Sequence, residues 1–443
     1  MRITGLRLHP VAIADGPLRS SYGLHAPYAL RTIVELTSTD GLTGISETYG
    51  GDGPLQALEA MRDRIAGMDP FQLTRLWVDL SGEAAKESAA QNAVVAGGRS
   101  QTYLVPGENP LDRHARTYAA IEIACLDLIG KALNKPLCDV VGGRARDAVP
   151  FSAYLFYKHA GGGGLGDDQR EDEFGEGLDP LAMVRQARQM IDMYGFREIK
   201  LKGGVLDPEI EIDTIRALRQ EFGPSYPLRI DPNCAWSIPT SVYVGRSLKE
   251  ELSGGGYLED PTATIAGMAE VRKRLREEGI DMPMASNVAV TCFAQVVEAE
   301  KADAVQVVLS DPHYWGGVRA QQRLADLCET LNLGVSMHSN NHLGVSLMAM
   351  THAAASAPHV NYACDTHYPW QSGIDEVVVG GRIPFVDGCV RIPDKPGLGI
   401  DLDYDQLARG TERYNKLDYR KRDDEAEMRK RVDPSWKRVL PRW

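Results

Sequence analysis

The chain has 443 residues, 43% of them hydrophobic and 25% charged, with a formal net charge of −12. That length exceeds one ordinary compact core and indicates two or three domains or a barrel with additions. The acidic balance argues against a nucleic-acid surface, which needs a basic stripe, and no apolar run is long enough to cross a membrane.

In chain order, Met1 to Pro10 alternates like a strand. It lacks the basic, apolar and cleavage regions of a signal peptide, so a cytoplasmic protein is expected. The seven cysteines, scattered from Cys125 to Cys389 with no Cys-x-x-Cys pair, fit reduced thiols in that compartment. Cys234 and Cys292 read as small packed residues. Residues 31–37 and 42–48 flank Thr39-Asp40-Gly41, and Asp-Gly is a strong hairpin signal. Residues 55–135 look helical, and the clearest helix, Tyr118 to Lys131, stops before Asn134-Lys135-Pro136.

After Pro150, short apolar strands alternate with helical stretches. Eight strands are expected, at 151–156, 198–202, 228–233, 257–260, 282–287, 304–311, 333–338 and 359–365. Helical patterns such as 181–194 and 210–222 lie between them, the texture of a TIM barrel. No eighth helix is evident. Gly161 to Gly164 and the acidic run to Glu176 read as a flexible surface insertion; no Gly-Lys-Ser/Thr follows to make a phosphate cradle. From Trp370 the chain is turn-rich and is expected to pack back on the first domain or the barrel mouth.

Active sites of such barrels form at the C-terminal ends of strands, and here nearly every expected strand ends in a polar residue. Asp231, Glu259 and Asn287 follow one another at intervals of 28 residues, one βα unit each. Three converging oxygen donors without Cys or His suit Mg²⁺, although an acid that ends a strand is often only a helix cap. Lys200 and Lys202 share one face of their strand, where they must enter the metal site or lie buried and unpaired. Neighbouring cations and the metal lower a lysine's pKa toward that of a working base. Asp311 and His338 end consecutive strands as an Asp–His pair opposite the lysines. His338 and His342 at i and i+4 offer a zinc reading, but the glutamate of His-Glu-x-x-His is missing.

A metal triad on strands three to five, Lys-x-Lys on strand two and an Asp/His dyad on strands six and seven resemble the mandelate-racemase group of the enolase superfamily. The resemblance is closest to the D-glucarate dehydratases and runs over essentially the whole chain. It rests on residues 199–204 (Ile-Lys-Leu-Lys-Gly-Gly), 231–237 (Asp-Pro-Asn-Cys-Ala-Trp-Ser), 311–315 (Asp-Pro-His-Tyr-Trp), 338–343 (His-Ser-Asn-Asn-His-Leu) and 365–371 (Asp-Thr-His-Tyr-Pro-Trp-Gln). The family departs from this chain after Glu259-Asp260-Pro261, where it tends to carry Cys-Gly and a further Glu. Here the next acid is Glu270, the alternative second ligand; Glu259 is preferred because it ends the strand and keeps the register.

The resemblance implies an α/β fold, a modified TIM barrel (β/α)₇β with an N-terminal α+β capping domain. Residues 1–140 would form the cap, 141–369 the barrel and 370–443 a segment packing on both. It implies Mg²⁺ on Asp231, Glu259 and Asn287, and an aldarate held by His25, Thr102, Tyr154, Asn233, His367 and Arg422. It further implies a hydro-lyase in which Lys202 and His338, the latter held by Asp311, act on opposite faces of the carbon next to a carboxylate, with Lys200 beside that carboxylate. The expected reaction takes D-glucarate, L-idarate or both to 5-dehydro-4-deoxy-D-glucarate. Dehydration or epimerisation of another acid sugar such as galactarate is the alternative, and a non-catalytic binding protein on the same fold is the reading from another class. A homo-oligomer is expected.

Overall fold

The computed structural model describes residues 1–83 and 110–443. Strands Ile3–Ala14, Tyr28–Ser38 and Thr43–Tyr49 form an antiparallel sheet in which the central strand is Tyr28–Ser38. The expected hairpin turns at Asp40-Gly41, where Gly41 takes φ +75° over open space, a conformation that favours glycine. Helix Pro110–Leu133 crosses this sheet and ends where Asn134 enters the left-handed region at φ 52°. Its contact with the sheet is close: the N–H of Ile45 donates to Asp127 at 2.8 Å, and the hydroxyl of Ser46 donates to the Ala120 carbonyl at 2.6 Å. A side chain at Gly44 would fall against the backbone of Ala124.

The second layer is a parallel sheet of seven strands in sequential order: Ala153–Phe156, Ile199–Lys202, Leu228–Asp231, Tyr257–Glu259, Met284–Ser286, Val307–Ser310 and Gly334–Met337. A helix follows each strand, from Pro180–Tyr194 to Gly344–Ala355. Several of these helices start where the chain supplies both a cap and an early proline, as at Asp179-Pro180 and Asp207-Pro208.

The eighth expected strand does not form a regular ladder. Its segment still closes the barrel, since the N–H of Asp365 donates to Met337 and those of Cys364 and Ser152 donate to Pro150 and Cys364. The ladder breaks at Asn361: its side-chain oxygen takes the Val335 N–H at 2.9 Å, and the N–H groups of both Asn361 and Tyr362 crowd onto the Val335 carbonyl. A short 3₁₀ turn, Tyr368–Trp370, stands where an eighth helix would start, giving the modified (β/α)₇β barrel.

The insertion at 161–176 is pinned rather than loose. Lys158 is buried and donates to Asp172 at 2.8 Å and to the Gly175 carbonyl at 2.7 Å, while Arg170 pairs with Asp375 and Asp168. Gly163, at φ +87°, leaves no room for a side chain against the backbone of Asp15. The tail returns to both layers: Arg413 donates to the Ala12 carbonyl at 3.0 Å, and the backbones of Arg442 and Trp443 bond to Ala235. Among the described residues no helix is long and apolar enough to cross a membrane.

Candidate active site

The alternation of the second barrel strand sends Lys200 and Lys202 the same way, into the barrel mouth. Lys200 is fully buried. Its Nζ lies 2.7 Å from Glu259, 2.6 Å from Asp365 and 3.7 Å from Asp231. Lys202 Nζ lies 2.6 Å from Oδ2 of Asp231. Three strand ends therefore converge on two ammonium groups. Burial works against the charge of Lys200, but Asp365 and Glu259 outweigh it and hold its pKa well above the ordinary lysine value. With these carboxylates around it, Lys200 is held as a cation.

The carboxylates respond in opposite senses. Burial opposes the charge of Asp231, yet Lys202 and Lys200 bring its pKa below the usual carboxylate range. Burial and the nearby Asp231 charge push Glu259 well above that range. Oε1 of Glu259 and Oδ1 of Asn287 are buried without a hydrogen-bond partner. Two orphaned oxygens beside an ionised aspartate are the donor set a hard divalent cation takes. Among the described residues, no group of three or more His, Cys, Asp or Glu side chains is arranged to hold a metal; two carboxylates and an amide form a different set.

The neighbours of Glu259 are otherwise engaged. Asp260 accepts from the Ser286 hydroxyl and from the N–H groups of Asn287 and Val288, so it braces the fifth strand. Glu270 sits on the outer helix Ile265–Glu277 in an ion pair with Arg274, away from the barrel mouth.

Across the mouth, Asp311 caps the turn Pro312–Trp315 and accepts from Nδ1 of His338 at 3.0 Å. Its carboxyl is held well below the usual range: burial works against its charge, and His313 followed by His338 outweighs burial. With Nδ1 committed to Asp311, the remaining nitrogen of His338 is Nε2. The zinc reading does not survive: His342 bonds through Nδ1 to the Leu343 carbonyl and through Nε2 to Thr366, stacked on Tyr368.

A cavity of about 570 Å³ has Lys202, Asn233, Asn287, His338 and His367 in its wall. His25, Tyr154 and Arg422 line it as well. Thr102 lies outside the described residues. His25 bonds to Asp15 at 3.0 Å, and His367 bonds to Ser339 at 3.1 Å between the rings of Tyr154 and Phe156. Burial, with His25, His342, His338 and Lys202 nearby, holds the His367 pKa well below the ordinary histidine value, so the ring is neutral. Asn233 and Cys234 both take left-handed backbone, at φ 53° and 64°, held by the Cys234 N–H on the Asp260 carbonyl. That pair of turns brings Asn233 back over the site. Arg422 is partly committed: Nη1 donates to Asp15 and Asn341, and Nε pairs with Asp424.

Sequence reasoning passed over several groups here. Asp365 was a strand end without a partner, yet it is a counter-ion of Lys200. Tyr22, Ser339, Asn340, Lys421 and Arg438 also line the cavity. Ser339 and Asn340 lay within the stretch 338–343 without a role of their own; for Arg438, more than 200 residues from the third barrel strand, there was no signal.

The comparisons with known proteins agree on the family. A family model described as enolase C-terminal domain-like matches residues 182–406. A probable glucarate dehydratase of Streptomyces coelicolor is 43% identical over 447 residues, covering 100% of this chain and 99% of that protein. The chain belongs to the glucarate dehydratase family of the enolase superfamily. That membership makes it a hydro-lyase, an acid-sugar dehydratase. Among solved structures, an enolase from Pseudomonas fluorescens Pf0-1 with bound magnesium, potassium and tartrate is 44% identical, with a TM-score of 0.89, covering 100% of this chain and 99% of that one. An enolase from Thermobispora bispora complexed with magnesium and formate is 45% identical, with a TM-score of 0.88 and full coverage of both chains.

Proposed function

We propose that the protein dehydrates D-glucarate, L-idarate or both to 5-dehydro-4-deoxy-D-glucarate. The observation that carries this reading is a single cavity lined by Lys202, Asn287 and the Asp311-bound His338, with the buried Asp231 paired to Lys202 and a buried Glu259 oxygen left without a hydrogen-bond partner. Mg²⁺ is the cofactor, as in solved relatives that hold it, and Asp231, Glu259 and Asn287 would be its protein ligands. Bound there, it supplies positive charge against the carboxylate whose oxygens gain negative charge as the α proton leaves.

The chain's own groups do the rest. Lys200, fixed as a cation, lies beside the same carboxylate. Lys202 takes the α proton from one face of C5, and His338 takes it from the other, so both epimers are substrates. On the His338 arm, the imidazolium formed by that abstraction delivers its proton to the β-hydroxyl as the C–O bond breaks. On the Lys202 arm, His338 starts as the imidazolium and delivers its proton in the same way; the enol then becomes the keto diacid. Asp311 stabilises the imidazolium through Nδ1. His25, Tyr154, Asn233, His367 and Arg422, with Thr102, hold the distal hydroxyls and carboxylate. The reading includes a cytoplasmic homo-oligomer, which light scattering of the purified protein checks for its assembly.

The test is a panel of acid sugars, glucarate, idarate, galactarate and monoacids, assayed for keto-acid formation with the wild type and with folded Lys202→Ala and His338→Asn variants. Turnover of glucarate or idarate that His338→Asn loses, with Lys202→Ala losing at least the epimer whose α proton faces it, supports the reading. Turnover confined to galactarate or a monoacid, full activity in His338→Asn, or full activity of Lys202→Ala on both epimers, overturns it.

A further inference from the structure

Asp311 serves two histidines. Its Oδ2 accepts from Nδ1 of His338 at 3.0 Å, while its Oδ1 accepts both the backbone N–H of His313 at 2.8 Å and the ring Nδ1 of His313 at 2.6 Å. His313 is buried and absent from the cavity wall. Its Nε2 is hydrogen-bonded to the Ser346 hydroxyl on helix Gly344–Ala355, every residue of which is buried. Ser346 also accepts from Arg31 at 3.4 Å, and Arg31 donates from Nε to Glu47 at 2.8 Å. The N–H groups of Leu343 and Ser346 donate back to Glu47. A buried chain of hydrogen bonds thus runs from the barrel mouth into the N-terminal sheet.

The direction of this chain follows from its acceptor. An ionised aspartate only accepts, so both histidines present Nδ1–H to it. A neutral His338 is then left with a bare Nε2, the lone pair a base needs. A neutral His313 is left with an Nε2 that accepts from Ser346. Each link from Arg31 onward donates toward Asp311, and the carboxylate's charge is divided between two N–H donors instead of being spent on His338 alone.

We propose that His313 is a positioning residue for the His338 arm of the reaction: it locks the rotamer of Asp311 and shares its charge, and so sets how His338 takes up a proton without touching substrate. This rests on the reading of His338 as one of two opposed bases. The groups that face the His338–Asp311–His313 cluster are few. Arg31, Glu47 and Tyr49 approach from the N-terminal strands, with Arg31 and Glu47 paired; His342 and Tyr314 flank it; His367 and Lys202 lie on the cavity side. Nothing but His313 and His338 is seen to hydrogen-bond the Asp311 side chain among the described residues.

The test uses the Mg²⁺-loaded full chain and the two C5 epimers of a 4-deoxyaldarate, diacids with an α proton but no β-hydroxyl to expel. Exchange of the α proton in D₂O, followed by NMR, reads each arm separately. His313→Leu removes the ring donor; His313→Asn keeps an N–H close to the Nδ1 position. Exchange of the epimer that faces His338 should fall about 10- to 100-fold in His313→Leu, the worth of one charge-assisted hydrogen bond. It should recover in His313→Asn, and the Lys202-facing epimer should exchange at the wild-type rate in both. An equal fall for both epimers, no fall at all, or an Asn variant no better than Leu overturns the inference. His338→Asn is the reference. If it too fails to distinguish the epimers, the two-base reading falls and takes the inference with it; if it distinguishes them and His313→Leu does not, the inference alone is overturned.

Discussion

The Nζ of Lys202 lies 2.6 Å from Oδ2 of Asp231, so the proposed base and a proposed magnesium ligand form one ion pair. Proton abstraction and metal binding are therefore electrostatically linked through a contact of two adjacent strands, whose register sets Lys202 opposite Asp231.

That link separates two variants that a simple loss of activity would not. Lys202→Ala removes a positive charge from the ligand cluster and should bind Mg²⁺ at least as tightly as the wild type, while turnover falls about 10²- to 10⁴-fold. Asp231→Asn should lose both. Calorimetric titration with Mg²⁺ beside the rate assay reads the difference; weaker Mg²⁺ binding by Lys202→Ala would contradict it.

The choice between Glu259 and Glu270 is open to the same titration. Glu259→Gln should weaken Mg²⁺ binding by more than the roughly 10- to 100-fold that loss of an outer-sphere partner costs. Glu270→Gln, which only breaks an exposed helix pair with Arg274, should leave the binding curve unchanged.

Stability should carry a pH signature from Glu122, away from the active site. This buried carboxylate accepts from the N–H groups of Val318 and Arg319, and burial raises its pKa from 4.5 to about 7 against those two hydrogen bonds. The folded chain therefore holds the proton more tightly than the unfolded chain does. The resulting stabilisation is complete below pH 4.5 and is lost as pH rises through about 7. Its full size is about 3 kcal/mol. Urea unfolding at pH 4.5 and pH 8 should show the wild type losing ground by that order relative to Glu122→Gln; parallel curves would remove Glu122 as the cause.

Gly163 offers a structural prediction with a functional readout. A methyl at this position meets the Asp15 backbone, and φ +87° is strained for alanine. Gly163→Ala should cost about 1–3 kcal/mol and, because Asp15 carries both His25 and Arg422, should raise KM more than it lowers kcat. A loose insertion would tolerate the change in both thermal melting and kinetics.

What could be read in advance followed from two regularities. The alternation of strand residues put Lys200 and Lys202 on one face, and the length of a βα unit brought Asp231, Glu259 and Asn287 to neighbouring strand ends. Both are local rules repeated down the chain, so they survive without knowledge of the packing. What escaped depended on pairings across the barrel or between its layers. Asp365 became a counter-ion only because the eighth segment closes between the seventh and first strands, within reach of Lys200 on the second. Asn361 broke its ladder by putting a side chain where a carbonyl was expected, a substitution no propensity records. The glycines at 161–164 read as slack, yet Gly162, Gly163 and Gly164 lie close against the backbones of Glu171, Asp15 and Asp168. His313 lay inside a quoted motif, but its meaning came from Ser346, 33 residues later.

The cavity draws its floor from strand termini and its rim from segments as far apart as Ser20 and Arg438. On the proposed reading, proton chemistry rests on strand ends, while molecular selection draws on strand ends and rim together. A lineage could then exchange rim residues, and with them shift the acid it prefers, while the strand ends proposed to perform the elimination stay as they are.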